Sequence, residues 1–373
     1  MIKTNIHVLS DGFHSPNARG FLHPLIIHRQ ILAANGINIR IFEQPKGQFA
    51  DCDLLIVDSK HFHGNSRGQL PYIQEQLEHF KLRCNRLAWY DSTDSAGWVA
   101  GGILPFVHRY YKNQLLRDRT AYLKPMYGRR TYTDFYHRKA GITDDTPDNT
   151  PQVQHPELLR RCCLGWNSGL ANYTRHGPML MTLYEHSRLP FLLRFSQVSE
   201  KRDDDRPITI SCRMGVSYRR NTVSYQRRQL LARLPRYVST NKLTRGSYFA
   251  ELKKSRAVLS PFGLGEITLK DFEVFLTGAL LVKPDISHLE TWPDLYRDKE
   301  TILTFGWDFE DLNLLVDNIE NNPRQIGEIA EKGQAEYVRY VASNESAELF
   351  YKHFSTMIEE VPYESDGLHS VTN

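Results

Sequence analysis

The segment from Ala257 to Pro284 restricts the fold of this chain more than any other stretch. It opens with the short apolar run Ala257–Leu259, which is typical of a buried parallel strand. Three residues that break regular structure follow, Pro261, Gly263 and Gly265, and glycine lets a backbone approach a ligand closely. The segment therefore predicts a strand that runs into a glycine-rich turn.

The helix predicted after this turn begins near Ile267 and has two different faces. Apolar side chains recur at helical spacing on the core face: Leu269, Phe272, Phe275, Leu276 and Ala279. Polar side chains share the opposite face at positions i, i+4, i+7 and i+11: Glu266, Lys270, Glu273 and Thr277. Gly278 is suited to end the helix, and Leu280–Val282 is expected to form the next buried strand.

The start of this helix is a candidate anion site. Free N–H groups and the helix dipole point outward where a glycine-rich turn enters a helix. Lys270 lies in the first turn, where a cation is disfavoured unless an anion balances it. The alternative is a solvated ladder of glutamate and lysine side chains, and these residues alone leave both interpretations open.

This segment resembles the carboxyl-terminal half of GT-B glycosyltransferases, with the nearest likeness to bacterial spore-coat-type and exostosin-like enzymes. In retaining members, the turn leads into a helix with two glutamates, of which the second lies five residues before a glycine. Glu273 keeps that distance to Gly278. Six residues separate Glu266 from Glu273, which is one fewer than between the two glutamates of those enzymes. The likeness covers residues 207–320 and leaves retaining or inverting chemistry open. It implies two Rossmann-like, doubly wound parallel-sheet domains that face each other across a cleft.

The resemblance also implies a nucleotide-diphosphate-sugar donor in the second domain. Glu266 would be a catalytic residue near the donor sugar, and Glu273 would accept hydrogen bonds from the ribose. The loop Asp285–Glu290 would place Ser287 and His288 near the sugar and ribose. We expect no metal and no separate cofactor, because side chains and a helix terminus can supply the positive potential.

A strand at Ile208–Cys212 runs into a loop that contains three arginines, Arg213, Arg219 and Arg220. The planar guanidinium group suits phosphate oxygens, so we expect these arginines and Lys270 to bind the donor diphosphate. Basic residues of the same loop contact the diphosphate in the resembling enzymes. A solvated basic loop is the alternative.

Strands alternate with helices in the first half as well, which predicts a second parallel sheet. The predicted elements are strands at 6–9, 37–42, 53–57 and 87–90 and helices at 23–34 and 69–80. Asp91 and Asp94 follow the fourth strand, and His14 lies in the loop after the first. Ligands bind beyond the carboxyl ends of such strands, so these three residues are candidate bases or acceptor contacts. An Asx turn and an incidental loop histidine are the alternatives.

The stretch Ser199–Pro207 has seven charged residues and no apolar one, so we place a domain boundary there. We expect an acceptor-side domain at 1–198 and a donor domain at 207–340. Residues 341–373 would form a helix that crosses back to the first domain and a frayed tail.

The segment from Arg109 to Arg138 interleaves tyrosines with basic residues. Such a pattern can bind nucleic acid, stack on sugars or contact anionic lipid, and a solvated amphipathic face is the alternative. The net charge of 47 − 43 = +4 is too small to favour nucleic acid as the main partner.

Composition points to the cytoplasm. The five cysteines form no Cys-x-x-Cys pair, which fits reduced thiols, and Met1–Asn5 leads straight into a strand rather than a signal peptide. No apolar run approaches the length of about 18 residues that a membrane span needs, so any membrane contact would be peripheral.

The sequence thus predicts a glycosyltransferase of surface polysaccharide or glycoconjugate synthesis, with a saccharide or lipid-linked glycan as acceptor. The alternatives are a nucleotide-sugar 2-epimerase of the same fold and a non-catalytic protein that binds carbohydrate or nucleic acid.

Overall fold

The computed structural model describes residues 3–62, 69–145, 151–195 and 205–362. The described residues form these strands: β1 (Thr4–Leu9), β2 (Ile37–Phe42), β3 (Leu54–Asp58), β4 (Leu87–Asp91), β5 (Arg109–Lys112), β6 (Gln114–Leu116), β7 (Cys162–Leu164), β8 (Ile208–Ser211), β9 (Ser255–Leu259), β10 (Leu280–Pro284), β11 (Leu289–Thr291) and β12 (Leu303–Phe305). They form these α-helices: α1 (Pro16–Ile27), α2 (Arg29–Ala34), α3 (Leu70–Lys81), α4 (Thr131–Ala140), α5 (Gly177–Ser187), α6 (Asn221–Arg233), α7 (Arg245–Lys254), α8 (Leu269–Thr277), α9 (Leu312–Asn321), α10 (Pro323–Val341) and α11 (Ser346–Glu359).

Two parallel sheets organise the molecule into two lobes. The first lobe is built on a six-stranded sheet with the order β2-β1-β3-β4-β5-β7, and the second lobe on a four-stranded sheet with the order β12-β10-β9-β8. All neighbouring strands within each sheet are parallel. The predicted fold class is confirmed as far as two α/β units, each built on a parallel sheet.

The core strands form where apolar runs predict them, because a parallel strand is covered on both faces. Every residue of β3, β4 and β10 is buried. The helix predicted over 23–34 was wrong in its bounds, because Ser15 caps a helix that already starts at Pro16. The Ser15 hydroxyl accepts a hydrogen bond from the Ala18 N–H at 3.1 Å.

The segment from Arg236 to Thr240 forms a turn and not a strand. It follows Pro235, whose carbonyl accepts a hydrogen bond from the Val238 N–H at 2.9 Å. β8 is the edge strand of the second sheet among the described residues, and this segment does not pair with it.

The tyrosine-rich segment is part of the protein core rather than a binding surface. The buried rings are those of Tyr110, Tyr111, Tyr122, Tyr127, Tyr132 and Tyr136. Several of their hydroxyl groups find internal acceptors; that of Tyr122 donates to the Ala96 carbonyl at 2.7 Å and that of Tyr132 to the Gly263 carbonyl at 2.9 Å. Large rings contribute most when buried, provided that the polar tip is satisfied. Both the exposed aromatic surface and the solvated face were therefore wrong.

An antiparallel ribbon joins the two lobes. β6 pairs with β11 in the register Leu116 with Leu289 and Gln114 with Thr291. Arg119 and Glu290 form an ion pair across the ribbon at 2.5 Å. Backbone pairing therefore fixes one lobe against the other in addition to the covalent connection.

The last helix also contacts the first lobe. The hydroxyl of Tyr111 donates to the carbonyl of Met357, and Arg86 donates to the carbonyl of Ile358 at 3.0 Å. Most of the predicted boundary at 199–207 and the tail from Glu364 lie outside the described residues. Among the helices that are described, none combines the length and apolar character required to cross a bilayer.

Candidate functional site

The glycine-rich turn and helix α8 form where the sequence predicts them, but the helix starts later than expected. Its N-cap is Thr268, whose N–H donates to the Asp271 carboxylate at 3.1 Å. Gly278 ends the helix in the left-handed conformation, with φ at +67°. Glu266 therefore precedes the helix and does not share a helical face with Lys270 and Glu273, which corrects the predicted alignment of these polar side chains.

Glu266 links the two lobes. It is fully buried, and its carboxylate accepts hydrogen bonds from the Ala96 N–H at 2.9 Å and the Ser95 hydroxyl at 3.4 Å. Both partners lie in the loop after β4. The neighbouring Gly265 has no room for a side chain, since a Cβ there would lie 2.0 Å from the Asp94 carbonyl oxygen.

A cavity of about 470 Å³ opens in the second lobe beyond the carboxyl end of β8. We call it the second-lobe cavity, and its volume falls in the range of about 300–1,000 Å³ that is usual for small-molecule sites. It is lined by Arg213, Met214, Gly215, Thr240, Lys242, Leu243, Arg245 and Tyr248. The cavity thus combines cationic, apolar and aromatic side chains at the sheet edge where doubly wound folds bind ligands.

Two of the predicted donor residues meet at one wall of this cavity. The Lys270 ammonium group reaches from the first turn of α8 and donates to the Arg213 carbonyl. Burial lowers the pKa of Lys270. The Arg213 side chain is held by Glu251, to which its Nε donates at 2.8 Å, and this hydrogen bond raises the pKa of Arg213. The loop backbone at Arg213 is therefore fixed from both sides.

A second pair contacts the same cavity through Arg245, which lines it. Glu273 is 8% exposed, and its carboxylate pairs with Arg245 at 2.9 Å. Burial raises the pKa of Glu273, although Arg245 opposes this effect. Burial raises the pKa of the Tyr248 hydroxyl, and the charge of Glu273 raises it further. This pair is a polar feature that faces the second-lobe cavity.

A second cavity, of about 380 Å³, lies between the lobes, and we call it the interlobe cavity. It is lined by Lys60, Thr93, Asp94, Ser95, Trp98, Gly128, Arg129, Arg130, Arg220 and Leu264. Arg130 donates to the Leu264 carbonyl at 2.7 Å and to the Gly128 carbonyl at 3.0 Å. Burial lowers the pKa of Arg220, and the charge of Arg130 lowers it further.

The structure thus divides the predicted site residues. Arg213 lines the second-lobe cavity, and Asp94 and Arg220 line the interlobe cavity. Lys270 and Glu273 line neither cavity but contact Arg213 and Arg245, which line the second-lobe cavity. The other predicted residues also line neither: His14, Asp91, Arg219, Glu266, Ser287 and His288.

Asp91 and Asp94 do not act as a pair on one surface. Asp91 is fully buried, bound to Lys112 at 2.9 Å and to the hydroxyl of Tyr110 at 2.6 Å. Burial alone would raise the pKa of Asp91, but Lys112 and the hydrogen bonds around it lower the pKa. Its carboxylate supports the end of β4, whereas the exposed Asp94 faces the interlobe cavity.

The other residues outside the two cavities have local partners or face solvent. His14 pairs with Glu185, and its side chain is 61% exposed. The Ser287 hydroxyl donates to the Asp285 carboxylate at 2.9 Å, and Arg219 is exposed. Nε2 of His288 lies 3.2 Å from the Thr131 hydroxyl, and burial lowers the pKa of the His288 ring.

Several cavity residues escaped prediction from sequence. Arg245 and Tyr248 fall in a helix with no motif, and Arg129 and Arg130 fall in the segment interpreted as a single aromatic and basic surface. The tyrosines of that segment point inward and its arginines line a cavity, a division that residue types alone do not reveal. Among the described residues, no group of three or more His, Cys, Asp or Glu side chains is placed to hold a metal ion.

No protein-family model and no curated protein matches the sequence. Among solved structures, Alr3699/HepE of Anabaena in complex with UDP-glucose aligns over 95% of this chain and 99% of its own, with 10% identity and a TM-score of 0.45. A glycosyltransferase from Rickettsia africae aligns over 96% and 98%, with 9% identity and a TM-score of 0.43. A putative UDP-N-acetylglucosamine 2-epimerase from Listeria monocytogenes aligns over 96% and 98%, with 8% identity and a TM-score of 0.41. Likenesses this distant transfer neither an activity nor a residue role.

Proposed function

We propose that this protein is a glycosyltransferase that moves a sugar from a nucleotide-diphosphate-sugar donor to a saccharide or lipid-linked glycan acceptor. The observation that supports this most strongly is the second-lobe cavity at the carboxyl edge of a parallel sheet, which Arg213 and Arg245 line and which Lys270 and Glu273 support through contacts with these two residues. Such an edge is the usual ligand position in doubly wound folds.

The donor nucleotide occupies the second-lobe cavity in this proposal. Glu273 accepts hydrogen bonds from the ribose hydroxyls, and the apolar side chain of Leu243 and the ring of Tyr248 cover the base. The diphosphate then follows the loop that begins at Arg213, within reach of the Lys270 ammonium group. Negative charge develops on the diphosphate as it leaves, so fixed cations there stabilise the transition state.

The transferred sugar and the acceptor meet in the interlobe cavity. Asp94 contributes the carboxylate among the residues that line this cavity, and its Oδ1 accepts a hydrogen bond from Asn17 at 2.9 Å. We assign Asp94 the role of base or acceptor contact, because a general base must reach the proton that it removes. Asp91 and Glu266, both buried, position the loop that carries Asp94.

A thermal-shift panel of nucleoside diphosphates and nucleotide sugars tests the donor site. A ligand that binds only the native state raises the melting temperature by mass action. We expect one nucleoside diphosphate to stabilise the protein, and Lys270→Ala and Arg245→Ala to lose the shift. Arg324→Ala is the matched control, because the Arg324 side chain is 94% exposed on α10 and pairs only with Glu328 among the described residues.

Product analysis then identifies the reaction. Transfer requires an added acceptor, whereas epimerisation of the donor sugar proceeds without one. If no nucleotide of the panel stabilises the protein, or if both cavity variants keep the full shift, the donor site is not where we place it.

A further inference from the structure

The interlobe cavity is lined by more cationic than anionic side chains. Four cationic side chains line it, those of Lys60, Arg129, Arg130 and Arg220, against the single lining carboxylate of Asp94. We propose that this cavity binds an anionic group, a carboxylate or a phosphate, carried by the sugar substrate in the cleft. The inference rests on the proposed function and specifies the class of its substrate.

Two of these cations, Arg130 and Arg220, are close enough that, beyond the effect of burial, the charge of Arg130 lowers the pKa of Arg220, an effect that the Asp144 carboxylate opposes. Arg130 is fixed by two carbonyl oxygens, those of Leu264 and Gly128, which leave its charge in place. Nη1 of Arg220 lies 3.8 Å from the position that a Cβ of Gly128 would take, so both guanidinium groups approach the same glycine. The positive charges of the two guanidinium groups repel each other, and burial strengthens this repulsion. A bound anion between the two arginines would remove this repulsion.

The turn that presents these arginines adopts an uncommon backbone conformation. Arg129 has φ at +54°, a region that residues with a side chain seldom enter and that tends to occur at functional sites. Its guanidinium group stacks on the ring of Trp98, 4.1 Å from the ring centre. The turn therefore directs Arg129 onto Trp98 and Arg130 toward Leu264 in the second lobe. Arginine is the residue best suited to bind a carboxylate or phosphate with two parallel hydrogen bonds.

The position of the cavity separates this anion from the donor diphosphate. Eight of its ten lining residues lie between 60 and 130 in the first half of the chain, and only Arg220 and Leu264 come from the second half. The second-lobe cavity is lined entirely by residues between 213 and 248, and the two cavities share no lining residue. An anion in the interlobe cavity would therefore be bound mainly by residues of the first lobe, away from the donor diphosphate.

The anionic group has two sources within one chemistry. It could be the carboxylate of a uronic acid carried by the donor, or a carboxylate or phosphate on the acceptor. In both cases the arginines hold the charged group, while Asp94 remains available to a neighbouring hydroxyl.

Ligand binding to the full chain tests the proposal. The acceptor arm compares glucose, glucuronate and glucose 6-phosphate by thermal shift, with and without a saturating nucleoside diphosphate. The donor arm compares a nucleoside-diphosphate glucose with the corresponding glucuronic acid. We expect the anionic compound to bind more tightly than its neutral partner in at least one arm, and that arm identifies the source.

The variants Arg220→Gln and Arg130→Gln should each weaken binding of the anionic compound by roughly tenfold, because a charge-assisted pair is lost. Binding of the nucleoside diphosphate alone should not change in Arg130→Gln, and Arg324→Gln is the control. The Arg220 guanidinium group makes no hydrogen bond to another described residue, so Arg220→Gln keeps the test decisive if Arg130→Gln fails to fold. Equal binding of neutral and anionic compounds in both arms overturns the proposal, as does undiminished binding by Arg220→Gln. If the unaltered protein binds no nucleoside diphosphate, that result would instead contradict the proposed function.

Discussion

The carboxylate of Glu266 accepts a hydrogen bond from the backbone N–H of Ala96 at 2.9 Å, and this contact joins the glycine turn of the second lobe to the loop that carries Asp94. Since both groups are buried, each depends on the other for its hydrogen bond. The relative position of the two cavities therefore depends in part on this side chain, alongside the β6–β11 ribbon. Glu266 thus serves as a link between the lobes.

Replacing Glu266 tests this link. Glu266→Ala should lower the free energy of unfolding by about 1–3 kcal/mol, because the Ala96 N–H is left buried without an acceptor. Glu266→Gln should lose less, since its amide oxygen can still accept from Ala96. Urea unfolding measures the difference. A Glu266→Gln variant with full stability and no turnover would show that the negative charge has a direct role in the reaction.

The glycine turn offers a matched pair of substitutions. Gly265→Ala should destabilise the protein by about 1–3 kcal/mol through overpacking, because its Cβ would lie 2.0 Å from the Asp94 carbonyl oxygen. Gly263→Ala should be nearly neutral, since its Cβ would lie 3.6 Å from the nearest atom, on Thr268. Thermal unfolding of both variants measures the contrast. Equal effects would mean that loss of glycine flexibility, and not the approach of the two lobes, controls this turn.

The sequence allows the fold to be predicted well because parallel strands are short apolar runs and helix α8 has a clear apolar face. The limits of prediction from the sequence also have a physical cause. The start of α8 depends on Thr268 acting as a cap, and this choice moved Glu266 out of the helix. The pattern Thr268-Leu-Lys-Asp271 is that of a capping box, but apolar spacing alone also allows a helix that starts at Ile267.

The candidate site was predictable only in part, for a related reason. Lys270 and Glu273 belong to one helix, so their spacing predicts that they lie near each other. Arg130 and Arg220 come from opposite halves of the chain, and only the tertiary fold brings them together. The same holds for Asp91, which residue type suggests as a base but which Lys112 holds inside the protein.

The stability of the protein should fall as the pH falls below about 6.5, the ordinary pKa of histidine. His23 is completely buried, its Nε2 lies 2.9 Å from the Leu193 carbonyl, and burial lowers its pKa to about 3. The unfolded chain binds a proton there near pH 6.5 and the folded protein does not. Through His23, the free energy of unfolding is therefore highest above that pH. It falls by about 1.4 kcal/mol per pH unit as the pH decreases toward 3.

Urea unfolding at pH 7, 6 and 5 measures this slope. His23→Gln should reduce the slope, even if its stability at pH 7 is lower. His155→Gln is the control, since the side chain of His155 is 67% exposed. An unchanged slope in His23→Gln would assign the acid sensitivity to other groups, of which His28 and His353 are the next, each with a pKa lowered by burial to about 4.

Asp94→Asn should separate chemistry from donor binding. The substitution keeps the size of the side chain and its hydrogen bond with Asn17 but removes the charge that accepts a proton. Loss of a general base typically costs about 10²–10⁴-fold in rate, so kcat should fall by that order while the nucleotide thermal shift stays unchanged. The control is Asp317→Asn on α9, an exposed carboxylate far along the chain from both cavities. If Asp94→Asn raises KM and leaves kcat intact, Asp94 binds the acceptor and the base must be sought among the other groups of the interlobe cavity.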